Sequence, residues 1–181
     1  MRARVEHGVF GYEWPSAELT DTLVARFKRL YGWTVDPEHI VYIPGLVYGL
    51  NNVCRAVGKA GDDVLMFSPI YPPFLTAPTN QGRTVTQVPL NPGLSRANGL
   101  KRNGDNLIEY EADFDALEAA IKPNTVLFLH CHPHNPTGHE YTRAEMLRLA
   151  DICARHNLLI CTDEIHCDLL LDSASHTPLA S

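Results

Sequence analysis

Apolar positions recur along this chain with two periods. Leu19, Leu23, Phe27, Leu30 and Tyr31 fall three or four residues apart, the spacing of one helical face. Ser16, after Trp14-Pro15, suits the helix's N-cap, and Gly32 suits its stop. A second helix is expected from roughly Leu46 to Val57. A short third one falls within Tyr110 to Ile121, with Phe114, Leu117 and Ile121 inward and Lys122-Pro123-Asn124 ending it. A fourth carries Met146, Leu147, Leu149, Ala150, Cys153 and Ala154. Between these lie short apolar runs that predict strands: His39 to Ile43, Val64 to Phe67, Arg83 to Val88, Thr125 to Leu129 and Leu158 to Cys161. Asn91 to Asn106, rich in Gly, Asn and Arg, reads as an exposed loop or hairpin tip. Asp172 to Ser181 is small and polar and stops without a closing element.

Alternating helices and strands predict an α/β fold with a mostly parallel sheet. The stretch from Thr125 to Cys161 reads as strand, loop, helix, strand, one βαβ unit. In a parallel sheet both loops that follow such strands open at the carboxyl edge, where ligands bind. Asn135 follows the first strand and Asp163 the second, so both are expected to face one crevice. A neutral amide and a carboxylate there suit a ligand with a hydroxyl and a basic ring nitrogen.

Composition narrows the picture. With 181 residues the chain can bury one real core. A net charge of −6 argues against nucleic acid as a partner. No apolar run approaches ~20 residues, so no membrane span is expected, and Met1 to His7 lacks the apolar core of a secretory signal. The five cysteines are odd in number, and Cys153 and Cys161 sit in core-like patterns. That reads as reduced thiols in a cytoplasmic protein.

Several residues carry candidate chemistry. Gly45-Leu46-Val47 opens the second helix and leaves its first N–H groups to an anion, or is an ordinary strand-to-helix turn. Tyr71, in Ser68-Pro69-Ile70-Tyr71, can stack on a flat heteroaromatic ligand or pack on its neighbouring prolines. His130, His132, His134 and His139, with Cys131, alternate as metal ligands can. Pro133 and Pro136 break the regular extension, so no metal site is expected there.

Asn135-Pro136-Thr137-Gly138 followed by Asp163-Glu164-Ile165-His166 resembles the class I/II aminotransferase superfamily, the fold type I enzymes that use pyridoxal 5'-phosphate (PLP). The longer spellings His132-Pro133-His134-Asn135-Pro136-Thr137-Gly138 and Asp163-Glu164-Ile165-His166-Cys167-Asp168-Leu169 are most similar to its cystathionine β-lyase-like C–S lyase branch, of the maltose-regulon modulator type. The resemblance runs from His7 to Ser181. It implies the three-layer, mostly parallel sheet of the fold type I large domain, incomplete here. Residues 1–36 would be an N-terminal loop and helix and residues 37–181 the sheet core, truncated at both ends relative to the family.

It further implies that Gly45, Leu46 and Val47 hold the PLP phosphate and that Tyr71 lies beside the ring. Asn135 would donate to the phenolic oxygen, and Asp163 would hold the pyridine nitrogen protonated. Tyr12 matches a tyrosine that reaches the phosphate of a neighbouring subunit, which implies a homodimer; intramolecular packing of its aromatic loop is the other reading. His166 stands where many aminotransferases have tyrosine, as a branch marker and supporting group. The family's Schiff-base lysine lies well after the aspartate, and none of Lys28, Lys59, Lys101 and Lys122 matches it. The implied activity is β-elimination from a sulfur amino acid. Transamination, or a catalytically inert truncated product, are the alternatives.

Overall fold

A computed structural model describes residues 1–94, 108–171 and 175–181. The chain divides into two units, Met1–Tyr42 with Ser181, and Ile43–Ala180.

The first unit holds helices α1 (Arg2–His7) and α2 (Ala17–Tyr31). α2 starts where the Ser16 hydroxyl accepts the Leu19 N–H at 3.2 Å. It stops at Gly32, whose left-handed backbone (φ 68°) sends its N–H back to the Lys28 carbonyl. The strand expected at His39 to Ile43 is absent. Pro37–His39 instead forms a 3-10 turn, capped by the Asp36 carboxylate accepting the Glu38 N–H at 3.0 Å. Residues 40–43 pair with no strand, and Val41, Tyr42 and Ile43 are exposed. An apolar run is a strand only where a partner accepts its hydrogen bonds.

The second unit runs α3 (Leu46–Ala56), β1 (Asp63–Ser68), α4 (Pro72–Asn80), β2 (Thr84–Pro89), β3 (Asn91–Leu94), β4 (Ile108–Glu111), α5 (Phe114–Ala119), β5 (Thr125–Cys131), α6 (Arg143–Arg155) and β6 (Leu159–Asp163). The main sheet has the order β2-β1-β5-β6, and every pairing is parallel. β3 and β4 form a separate antiparallel pair. The stretch from Asn91 to Asn106, expected as an exposed loop or hairpin tip, therefore begins as one strand of this antiparallel pair, and its residues 95–106 lie outside the described residues. Within Tyr110 to Ile121 only Phe114–Ala119 is helical. The Asp113 carboxylate sets its start by accepting the Ala116 N–H at 2.9 Å. α4 has no helical apolar signature because three of its residues are proline. Pro72 and Pro73 open it, where a missing N–H is harmless, and Pro78 lies near its end.

Strand alternation builds the layers. Leu65 and Phe67 of β1 and Phe128 of β5 face one side, against Phe114 and Leu117 of α5 and Met146, Leu149, Ile152 and Cys153 of α6. Val64 and Met66 of β1, with Leu127 and Leu129 of β5, face the other, against Leu50 and Cys54 of α3 and Phe74 and Ala77 of α4. The result is helices, sheet, helices: three layers, as the period-two pattern of buried strands requires.

At the amino edge of the sheet, fully buried Asp63 closes a polar knot. One carboxylate oxygen accepts from the hydroxyls of Thr84 (2.9 Å) and Thr86 (2.8 Å) and from Lys122 Nζ (3.2 Å); the other accepts from the Thr125 hydroxyl at 3.1 Å. No helix among the described residues is long and apolar enough to cross a membrane.

Candidate functional site

Because the four strands are parallel, their carboxyl ends share one edge. Both strands of the βαβ unit run two residues past their apolar stretches, since ladder hydrogen bonds do not require apolar side chains. The last rung therefore pairs Cys131 with Asp163. From there β5 enters the turn through Asn135 to Gly138, β6 ends on Asp163, β1 runs out to Tyr71, and α3 begins after Gly45.

These segments enclose a cavity of about 320 Å³ lined by Leu46, Val47, Leu50, Tyr71, Cys131, Asn135, Asp163, Ile165 and His166. Of the residues singled out in the sequence, six line it. Gly45 caps the helix that carries two of them. Tyr12 belongs to the other unit and is fully exposed there. Leu50, Cys131 and Ile165 were not anticipated as lining. Leu50 follows Leu46 and Val47 by one helical turn, and Cys131 and Ile165 flank the residues named, so spacing alone could have marked all three.

Gly45 has φ 152° and ψ 160°, a region open almost only to glycine. An added Cβ would meet nothing within 4 Å, so backbone conformation, not space, demands glycine. With no side chain to cap α3, the first-turn N–H groups and the positive end of the helix dipole are left to a ligand.

Backbone bonds tie the exit loops together. The Tyr71 N–H donates to the Asn135 carbonyl at 3.1 Å. The Asn135 N–H donates to Cys131 Sγ at 3.4 Å, and His134 Nε2 lies 2.8 Å from the Pro69 carbonyl. Burial pushes the Cys131 thiol up to about 11, so it stays protonated and serves as an acceptor, not a nucleophile.

Asp163 Oδ1 accepts the Ile165 N–H at 3.1 Å. Burial raises this carboxyl above its ordinary range, helped by Glu164; the Ile165 N–H and His166 pull the other way. A cation seated against it would favour the charged form.

The histidines that alternate along β5 and its loop do not converge on a common point. They surround one phenol. Tyr141 meets His130 and His139 edge-on, each at 4.5 Å between ring centroids, and lies 5.8 Å from His132 and 6.2 Å from His134. Among the described residues no group of three or more His, Cys, Asp or Glu is arranged to hold a metal ion. A second cavity, of about 520 Å³, adjoins the first, shares Asn135 and His166 with it, and is walled by Leu169, Leu170 and Leu171.

The described arrangement has relatives. Residues 7–180 match the family model for aminotransferase class I and II. The chain is 35% identical, over its whole length, to cystathionine beta-lyase PatB of Bacillus subtilis (strain 168), and covers 44% of that protein. Among solved structures it superposes on OvoB with a TM-score of 0.86 at 37% identity, covering 99% of this chain and 44% of OvoB. It superposes on the PLP-bound C-S lyase of Staphylococcus hominis with a TM-score of 0.83 at 30% identity, covering 99% and 43%. It thus spans less than half the length of these relatives. On the match across nearly all its residues, this chain belongs to the class I and II aminotransferase family.

Proposed function

We propose that the cavity at the carboxyl edge holds PLP and that the complete protein is a C–S β-lyase acting on a sulfur amino acid such as cystathionine. The observation that carries this is one cavity lined at once by Asp163, Asn135, Tyr71 and the uncapped start of α3. Each of these fits a different part of the cofactor. The first-turn N–H groups at Leu46 and Val47 suit a phosphate. The Tyr71 ring suits the flat face of a pyridine. The Asn135 amide can donate to a phenolate oxygen. Asp163, a partly buried carboxyl whose burial raises it above its ordinary range, suits a protonated ring nitrogen.

Bound PLP supplies an electron sink for charge that develops at the substrate's α-carbon. Asp163 keeps the proton on the ring nitrogen and so keeps that sink open. Asn135 would donate to the ring's phenolic oxygen, and Leu46, Val47, Leu50 and Ile165 would give the cofactor an apolar wall. The same residues serve elimination and transamination alike. The lyase reading rests on the C–S lyase relatives and on the branch spellings around Asn135 and His166. With it go a homodimer, in which Tyr12 reaches the partner's phosphate, and a reducing, cytoplasmic location suited to the unpaired cysteines.

The test is to supply the complete protein with PLP and cystathionine. Pyruvate, ammonia and free homocysteine are expected without any added keto acid. Turnover that demands a keto acid and yields a new amino acid would make the protein an aminotransferase. Asp163→Asn is expected to slow elimination by about 10³-fold or more, because an amide cannot hold the ring proton.

A further inference from the structure

Glu164, next to Asp163, does not line the cavity. It points to the other side of the β6 end, and both its oxygens are occupied. Oε2 lies 2.8 Å from His176 Nε2, and Oε1 accepts the Leu179 N–H at 3.0 Å and the Thr162 hydroxyl at 3.2 Å. The His176 side chain is almost wholly buried. Its ring stacks on His132, 4.5 Å between centroids and 28° between planes. His132 in turn donates its backbone N–H to the Asp163 carbonyl at 2.9 Å.

These contacts close a circuit: His132 to Asp163 by a backbone bond, Asp163 to Glu164 by the peptide, Glu164 to His176 by a charge-assisted bond, and His176 to His132 by stacking. The circuit encloses the peptide that carries the Asp163 carboxylate. It joins the ends of β5 and β6 to a segment more than ten residues downstream. On the cavity side the Asp163 carboxylate accepts the Ile165 N–H, and the circuit secures the peptide that carries it from the opposite side. Partly buried carboxylates that are doubly hydrogen-bonded make strong, directional anchors.

We propose that Glu164 and His176 are positioning residues that clamp the Asp163 carboxylate in register with the cofactor's ring nitrogen; this rests on the PLP reading above. A group held to a fraction of an ångström by its supporting bonds binds and polarises its target far better than a loose one. The clamp therefore sets how fully the ring nitrogen is protonated, a property that general loosening of the fold would not change selectively.

The experiment uses the complete protein loaded with PLP carrying ¹⁵N at the ring nitrogen, with NMR reading that resonance and absorbance titration reading PLP affinity. The unaltered protein is expected to show a protonated ring nitrogen. In Glu164→Gln and His176→Ala the resonance is expected to move toward the unprotonated position and PLP to bind about tenfold more weakly. His176→Gln, which keeps an N–H within reach of Glu164, is expected to retain most of the wild-type shift and affinity. It also keeps the idea testable if the other two fail to fold, since a shift there as large as that of unclamped cofactor overturns the clamp. An unchanged resonance and affinity in folded Glu164→Gln and His176→Ala, beside normal binding in the unaltered protein, overturns the clamp alone. Failure of the unaltered protein to bind PLP overturns the cofactor reading and the clamp with it.

Discussion

Single residues divide into those whose identity is set by backbone conformation and those set by chemistry. Gly45 is the first kind: its φ of 152° excludes a side chain although space is available. Gly45→Ala is expected to cost about 1–3 kcal/mol of stability and to weaken PLP binding in the same variant, because the first turn of α3 must shift to relieve the strain. Urea denaturation and a PLP titration read the two effects. Loss of stability with unchanged affinity would remove the α3 start from the phosphate site. Asp163 is the second kind, and here the sequence was legible. A carboxylate after a buried strand and an Asn-Pro turn after the neighbouring strand were expected to face one crevice, and both line one cavity. Glu164 was not legible, because its partners His176 and Leu179 lie in a polar tail whose pattern predicts no fixed structure.

Among elements, those with a strong period or a clear stop could be read from the chain alone. α2, α3, α6 and the four strands of the main sheet appear where their apolar spacing and flanking glycines and turns put them, within one or two residues at their ends. What could not be read depends on partners distant in sequence. β3 and β4 exist because they pair with each other, and residues 40–43 are not a strand because nothing pairs with them. α4 is masked by its prolines. α6 allows a clean test of local coding. The Thr142 hydroxyl accepts the Glu145 N–H at 3.3 Å, and the Glu145 carboxylate accepts the Thr142 N–H at 2.7 Å. Thr142→Ala removes half of this capping box and is expected to destabilise the protein by roughly 1 kcal/mol. Chemical denaturation would show it, and a change below a few tenths would mean that packing alone defines the helix start.

At the scale of the whole molecule, the buried imidazoles make stability depend on pH. Burial holds His132 at about 4, with His176 adding to the effect and Glu164 opposing it; burial also lowers His130 and His134. A histidine with a depressed folded value contributes fully above its unfolded value of 6.5, and that contribution is lost as pH falls from there toward 4. Glu145 adds a second, lower window. Burial works against its ionisation, but bonds from His139 and Thr142 hold it at about 2, so its contribution is lost as pH falls below its unfolded 4.5. Asp163 runs the other way, since its raised value disfavours the folded state at neutral pH and is relieved in acid. Urea midpoints measured from pH 7 to 4 are expected to fall through the histidine window first, and His132→Asn is expected to flatten that limb. A midpoint constant across this range would mean that the cluster admits protons without loosening.

The Asp63 knot has a consequence of another kind. It ties β2, β1 and β5 at the amino edge with every carboxylate oxygen engaged, at the opposite end of the strands from the cavity. Changes at sites so far apart add independently. Lineages that inherit the knot can therefore exchange loop residues around Tyr71, Asn135 and His166 without unfolding the scaffold, and divergence of substrate among descendants of one ancestor needs no new architecture.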